Sequence, residues 1–321
     1  MILPRLFLCA TVFAAAALPA QAQQYPQRAV RLVVPYVPGG GTDFTARVIA
    51  PRLGEALGQQ VVVENRPGGG TNIGSDLVAK AAPDGYTLLM AGAANAINMS
   101  LYAKLPYDTL RDFAPVSLSV KGANVLLVHP SLPAKNLKEL LTLARAQPGR
   151  LNYASSGIGS ANHMAGELLK LVARVNIAHV PYKGNAPALT DLIGGHVEVL
   201  ISGVPAVLGQ IRNGRVRAIA IASLKRFPAL PDTPTIDESG LKGFEATTWF
   251  GVMAPAKTPR EIVNRLNADL ARIVATPEVR ERFIGEGVEP VGGSTELFAA
   301  FVRDEIDKYG KVVRAASLTA D

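Results

Sequence analysis

Short β-branched runs alternate with amphipathic helical stretches along most of this chain. Consecutive parallel strands need a crossover of a dozen or more residues, usually a helix, so the alternation predicts an α/β fold built on parallel sheets. The opening shows it best. Residues 30–35 (VRLVVP) read as a buried strand, residues 38–42 (PGGGT) as a turn, and a helix follows with Phe44, Val48, Leu53 and Leu57 on its apolar face, ended by Gly58. A strand at 61–63, a glycine loop at 67–70, a helix to Ala81 and a strand at 87–90 come next. A second unit of the same design begins near Val125, with a helix over 136–147 and a strand over 151–154. A glycine turn at 155–159 then leads into a helix presenting Met164, Leu168, Leu171 and Val172. After Pro181-Tyr182-Lys183-Gly184, a short helix to Ile193 and a strand at 197–201 are expected. Pro205 opens the next helix, and Asn213-Gly214 closes it with a left-handed cap.

The last quarter turns helical. Thr258-Pro259-Arg260-Glu261 reads as a capping box with proline at the first helical position. Further helices start at Thr276-Pro277 and after Ser294, the last carrying Phe298, Phe301, Val302, Ile306 and Tyr309. No internal repeat or low-complexity linker separates the units. The chain is therefore free to cross between two lobes more than once, with the final helices packing back on the first.

The N-terminus sets the compartment. Residues 1–5 carry one positive charge, residues 6–18 are apolar, and Ala20-Gln21-Ala22 supplies a small-x-small cleavage pattern. The apolar run is shorter than the roughly 20 residues a bilayer span needs. Cleavage after Ala22 and a periplasmic mature chain starting at Gln23 are expected. Cys9 is the single cysteine and leaves with the leader, which excludes disulfides, thiol catalysis and cysteine-held metal in the mature chain. With 48% hydrophobic and 18% charged residues, the chain can bury a large core. The net charge of +7 is scattered; its densest group is Arg212, Arg215 and Arg217. No basic block interleaved with aromatics occurs, so nucleic acid is not an expected partner.

Two segments repeat one design of strand, glycine turn and helix. The first contains Tyr36, Gly39, Gly40, Gly41, Thr42 and Asp43; the second contains Ser155, Ser156, Gly157, Gly159 and Ser160. Glycines let a backbone approach a ligand, and the free N–H groups of a helix's first turn favour an anion. Neither turn holds lysine or arginine, so backbone N–H groups and hydroxyls would do the binding. Each turn is equally readable as a tight connection in which Thr42 or Asp43, and Ser160, cap a helix. Nucleotide motifs fail: Gly41 is followed by Thr42-Asp43 instead of lysine, and Asn162 stands where the dinucleotide pattern needs its third glycine. The four histidines, at 129, 163, 179 and 196, have no metal-ligand spacing, and no nucleophile elbow or acid–base pair is recognisable. No cofactor, metal or catalytic activity is expected. His163, one turn inside its helix, either caps or touches ligand. Lys183 either neutralises an anion or is solvated. Trp249-Phe250 either lines a cleft or packs a hinge, and Asn95 either reaches the ligand or caps a helix.

Taken in order, the motifs carry a family resemblance. They are P-x-x-P-G-G-x-x-D at 35–43, E-N-R-P-G-x-G at 64–70, Pro83-Asp84-Gly85-Tyr86, the stretch from Asn152-Tyr153 to His163, His179-Val180-Pro181-Tyr182-Lys183-Gly184, residues 230–235 (LPDTPT) and residues 249–255 (WFGVMAP). Over essentially the whole mature chain the sequence resembles the Bug-type extracytoplasmic receptors, the substrate-binding components of tripartite tricarboxylate transporters. The resemblance implies a two-lobed, type II-like periplasmic-binding fold, with lobe 1 formed by 23–124 and 247–321 and lobe 2 by 125–246. It implies a monomer whose cleft closes on a small carboxylate for a membrane permease. Tyr36, the loop from Gly39 to Asp43, the loop at Ser155, Ser156, Gly157 and Ser160, and His163 and Tyr182 would hold the ligand, partly through water. Ala91, Asn95 and Ser202 would shape the rest. Family members often carry an acid near Ser202; serine cannot meet a ligand amine by charge, which disfavours amino acids. A periplasmic sensor that signals, or an enzyme on the same scaffold, are the alternative functions.

Overall fold

A computed structural model describes residues 25–320; the leader, its cleavage point and Cys9 lie outside the described residues. The chain builds β1 (Val30–Val34), α1 (Gly41–Leu57), β2 (Val61–Asn65), a 3-10 turn (Gly69–Thr71), α2 (Asn72–Ala79), β3 (Thr87–Gly92), α3 (Ala93–Leu101) and β4 (Phe113–Gly122). It then forms β5 (Asn124–Val128), α4 (Leu137–Ala146), β6 (Asn152–Ser155), α5 (Ala161–Ala173), β7 (Ala178–Pro181), α6 (Asn185–Ile193), β8 (Val199–Gly203), α7 (Val204–Arg212) and β9 (Arg217–Ile221). The last stretch holds β10 (Thr248–Pro255), α8 (Arg260–Ala275), α9 (Pro277–Gly285), β11 (Val288–Pro290) and α10 (Thr295–Ala315).

Two sheets result, ordered β11-β4-β10-β3-β1-β2 and β7-β6-β8-β5-β9. They share a plan. In the first, β1 lies between β2 and β3, parallel to both, and β10 runs antiparallel between β3 and β4. In the second, β6 lies between β7 and β8, parallel to both, and β5 runs antiparallel between β8 and β9. Helices cover both faces, which is why β1 reads as a nearly continuous apolar run: Leu32 and Val34 join the core under α1 and α8, and Val33 joins the one under α3 and α10.

The two crossings lie side by side. Ala123 alone separates β4 from β5 on the way out, and Thr248 of the returning strand pairs with Gly122. Asn124 donates through Nδ2 to the Ala246 carbonyl at 2.9 Å, tying the outgoing chain to the returning one. Trp249 settles as a packing residue. It has no exposed surface, meets Phe298 and Phe301 edge-on, and donates through Nε1 to Glu305 at 3.0 Å. That bond fixes α10 on the crossing, and burial raises the Glu305 carboxyl above its ordinary value despite Lys308 and Trp249 beside it. From the other lobe, Met164 of α5 enters the core of the first sheet, with Ala161 and Leu168 packed beside it. Burying one such side chain contributes about 1.5–3 kcal/mol.

Asn136, Ser160 and Ser294 cap α4, α5 and α10 through their side-chain oxygens, and Gly58 closes α1 at φ +70°. The capping box read at 258–261 does not form. Pro259 is the residue flanking α8, without a side-chain cap, and the buried Thr258 hydroxyl meets no partner. The turn after β10 holds Thr258 inward, where its backbone N–H bonds the Pro255 carbonyl.

Gly251 of β10 is the tightest point of this packing. A Cβ there would lie 2.5 Å from Phe298 Cζ and 2.8 Å from the Ser117 carbonyl oxygen. Gly251→Ala is expected to cost about 1–3 kcal/mol by overpacking, read as a lower urea midpoint at unchanged slope in Trp249 fluorescence. An unchanged midpoint would show that α10 yields freely there.

Candidate functional site

Each parallel trio sends its central and third strands straight into helices: β1 into α1 and β3 into α3, β6 into α5 and β8 into α7. Helix N-termini therefore gather at the carboxyl ends of the strands, where open α/β sheets bind ligands. The lobes also touch. A Cβ on Gly159, just before α5, would lie 2.5 Å from Leu101 of α3, and one on Gly287 would lie 3.3 Å from Pro205 of α7.

In the first lobe, Gly39 takes φ +87° in the turn between β1 and α1. Asp43 holds that turn from inside. Its carboxylate is only 3% exposed and accepts from the Gly39 N–H at 2.9 Å, Arg47 Nε at 2.9 Å and Asn65 Nδ2 at 2.9 Å. Asn65 also donates to the Tyr36 carbonyl at 3.1 Å. Burial pushes the Asp43 carboxyl up, but the bonds from Arg47, Gly39 and Asn65 outweigh it and hold it below its ordinary value. The Tyr36 hydroxyl is raised by burial and by Tyr107, and it lies against the Ala94 backbone. Phe250 closes the floor, since a Cβ on Gly41 or Gly92 would come within 3.0 Å or 3.3 Å of its ring. The first helical bond of α1 is Phe44 N–H to the Gly40 carbonyl at 2.9 Å. The N–H groups of Gly41, Thr42 and Asp43 are left over.

In the second lobe, Gly157 (φ +129°) and Gly159 (φ +76°) shape the turn. The Ser160 hydroxyl caps α5 by accepting from the His163 N–H at 3.1 Å and donates to the Gly157 carbonyl at 2.7 Å. Ser155 is fully buried; its Oγ lies 2.7 Å from His179 Nε2 and accepts from the Gly157 N–H at 3.2 Å. His163 is 2% exposed and accepts the Gly159 N–H through Nδ1 at 3.2 Å. Tyr182 N–H and Gly184 N–H bond the Ser155 and Ser156 carbonyls at 3.1 and 3.2 Å. The Tyr182 hydroxyl donates to Asp191 at 2.6 Å, and burial with that carboxylate raises it to about 12.

The expected residues therefore divide. Gly39, Gly40, Gly41, Ser156, Gly157 and Ser160 form the two turns, with Thr42 just inside α1. Asp43, Ser155 and His163 lie beneath them as anchors. Ala91, Asn95 and Ser202 have no exposed surface. Asn95 caps α3, its Oδ1 accepting from the Gly92 N–H at 3.0 Å and its Nδ2 donating to Ser75 at 2.9 Å. Ser202 donates only a long 3.4 Å contact to the Gly203 carbonyl. The sequence did not mark Asn65 and His179 as partners of the loops, although both sit inside the motifs E-N-R-P-G-x-G and His179 to Gly184 that carry the family resemblance. Lys183 is exposed, and Arg47 donates to Asp43 of the first turn and to Asn65. Among the described residues no group of His, Cys, Asp and Glu is placed to hold a metal. An open groove of about 900 Å³ between α1 and β2 is lined by Arg47, Pro51, Glu55 and residues 58–63, and includes no residue of either turn.

A family model described as tripartite tricarboxylate transporter family receptor matches residues 45–318. BugT of Bordetella pertussis is 41% identical over 300 residues, 93% of this chain and 92% of BugT. Rhodopseudomonas palustris Rpa4515 with adipate matches with a TM-score of 0.83 and 40% identity, over 92% of this chain and 99% of that one. MatC from the same species with bound malate matches with a TM-score of 0.79 and 34% identity, over 90% of this chain and 100% of that one. The architecture is thus a two-lobed periplasmic-binding-protein fold of type II.

Asp43 anchors the first turn only while ionised. Its folded value lies below the ordinary 3.8, so its contribution is complete above that value and is lost as pH falls through the folded one. Asp43→Ala is expected to lower stability by about 1–3 kcal/mol at neutral pH, because buried donors lose their acceptor. The gap to the unsubstituted protein should narrow near pH 3, measured by urea unfolding at both pH values; a constant gap would assign the loss to packing instead.

Proposed function

Because the chain belongs to the tripartite tricarboxylate transporter receptor family of periplasmic solute-binding proteins, we propose that it captures a small aliphatic dicarboxylate between its lobes and presents it, cleft closed, to a membrane permease. The observation that carries this reading is the pair of glycine turns, one in each lobe, each opening into a helix whose first-turn N–H groups have no helical acceptor. Two relatives are described with adipate and with malate, and both acids are dicarboxylates, which suggests a ligand in that size range.

Recognition of this kind needs no bond-making. Hydrogen bonds to a charged oxygen contribute about 1.5–3 kcal/mol each, and a helix terminus adds about 0.3–1 kcal/mol. A few together, after ordering costs, reach the roughly 8 kcal/mol of micromolar affinity. Contacts from both lobes exist at once only when the cleft is shut, so ligand shifts the population toward closure. In this reading Gln23 is the mature N-terminus after cleavage at Ala22. The protein works as a monomer, with lobe 1 formed by 23–124 and 247–321 and lobe 2 by 125–246. Ser202 offers no charge to an ammonium, which supports an acid without an amine.

Gly40 provides a clean test. It flanks α1 with φ −84° and ψ 171°, and a Cβ there meets nothing within 4 Å. Gly40→Asp is thus free of strain and places an N-cap carboxylate on the N–H groups assigned to the ligand. Calorimetry of the mature protein with adipate and malate should show saturable binding by one of them without product. Gly40→Asp should weaken that binding at least tenfold while leaving the melting temperature equal or higher. Binding of amino acids alone, chemical conversion of the acid, or undiminished affinity in the variant would each overturn the proposal.

A further inference from the structure

The second turn has two glycines at positive φ and no lysine or arginine, yet it would have to hold its N–H groups still. Beneath it, three rings stack in a row: Tyr153 on His179 at 4.8 Å and 28°, and His179 on His163 at 4.0 Å and 21°. They come from β6, β7 and α5, so the stack joins the three elements that converge on the loop.

Resting on the ligand site proposed above, we propose that His163 and His179 are the positioning residues of the second turn: two stacked, neutral imidazoles grip it at Gly159 and at Ser155, leaving the Ile158 N–H and the first-turn N–H groups of α5 for a ligand oxygen. A phenyl ring would fill the same stack. What imidazole adds is an in-plane nitrogen at each grip point. His163 Nδ1 accepts from the Gly159 N–H at 3.2 Å, so its one proton sits on Nε2, 3.9 Å from Glu167 Oε1. A proton on Nδ1 would set N–H against N–H and expel Gly159. At the other end, Ser155 Oγ already accepts from the Gly157 N–H at 3.2 Å, and a single hydrogen lies between Oγ and His179 Nε2 across 2.7 Å. Either tautomer of that bond is neutral. With Gly157 and Gly159 N–H committed to these anchors and Ser160 N–H to the Gly157 carbonyl, the Ile158, Ala161 and Asn162 N–H groups meet no acceptor among the described residues.

The surroundings keep both rings neutral. Tyr153 from β6 and Glu167 and Lys170 from α5 are the titratable groups that face the pair. Glu167 Oε1 is occupied by the Tyr153 hydroxyl at 2.7 Å and Lys170 Nζ at 2.8 Å, so it is poorly placed to support an imidazolium. Burial and then Lys170 lower His163 to about 4. Burial, His163 and Lys170 lower His179 to about 3 against the pull of Glu167. The grip therefore persists wherever a carboxylate ligand is ionised, above about pH 4. Both rings are protonated in the unfolded chain below 6.5, so the stability they confer is complete above 6.5 and is lost as pH falls toward the folded values.

Backbone amide spectra of the mature, ligand-free protein, labelled with nitrogen-15, test the grip without any ligand. The Ile158 and Gly159 signals should hold still from neutral pH down to about 5 and then move with a midpoint near the folded value of about 4. Movement centred on 6.5 would overturn the proposal, because the rings would then titrate as exposed histidines. His163→Phe and His179→Phe keep the stack and remove the nitrogens. Both should displace the loop signals and lower affinity for whichever of adipate and malate binds at least tenfold by calorimetry, with α-helix content unchanged. His163→Gln, which can return an acceptor to Gly159, should recover part of the affinity and lose the movement centred near 4, leaving only the lower step of His179 near 3. Loop signals unaltered in the Phe variants would sink the idea. If the unsubstituted protein ignores both adipate and malate, the ligand assignment fails while the amide signals still decide the grip.

Discussion

Each lobe is finished by a strand that arrives from the other one. Strand β10 returns from the second lobe and lies antiparallel between β3 and β4, while β5 leaves the first lobe and lies antiparallel between β8 and β9. Neither sheet's hydrogen-bond ladder is complete without its incoming strand, so the two crossings are part of both cores. The chain crosses between the sheets in two short stretches, at Ala123 and near Thr247, joined by the Asn124 to Ala246 bond. Next to each incoming strand stands the parallel trio whose carboxyl ends carry the turns. The geometry of the cleft thus follows from strand pairing, and the loops need only hold their local shape.

That division explains the choice of residues at the turns. A mobile lysine would bring charge but would have to be ordered on binding, losing up to about 2 kcal/mol of side-chain entropy. Backbone N–H groups at helix starts are already ordered and carry a fixed partial charge. Their weakness is that glycine-rich turns have many conformations. The buried anchors, Asp43 with Asn65 in one lobe and His163 with His179 in the other, remove that freedom in advance, and preorganisation of this kind raises affinity by cutting the ordering cost.

Much of this was legible in the sequence because it is local. VRLVVP followed by PGGGT marks β1, its turn and the start of α1 within a dozen residues; Gly58 and Asn213-Gly214 mark helix ends by their conformational needs. The helical period after residue 260 marked the final helices but not the sheet they pack on; their return to the first lobe was implied only by the family resemblance. What escaped depends on distance along the chain. Asp43 meets Asn65 22 residues away, and Ser155 meets His179 24 residues away; no spacing rule links such pairs, so Asp43 and His163 looked as much like ligand contacts as like anchors. The capping box at 258–261 failed for a related reason. Its pattern is local, but the turn after β10 buries Thr258 away from the helix start, and tertiary packing overrode propensity.

The two lobes solve the same problem with opposite electrostatics, and the difference has a cause. In the first lobe the anchor is a carboxylate close to N–H groups suited to an anion, which would repel the ligand if its charge were bare. Arg47, pairing with it at 2.9 Å, offsets that charge, and its guanidinium is committed to Asp43 and Asn65. In the second lobe the anchors are uncharged, and the one acid below them, Glu167, is paired with Lys170 at 2.8 Å. The carboxylates of Asp43 and Glu167 beneath the turns are thus each balanced by a paired cation. In the proposed reading, an anion entering the cleft would meet two sets of fixed dipoles over electrically balanced supports, so its affinity should depend on the precision of the turns far more than on the net charge of +7 that the whole chain carries.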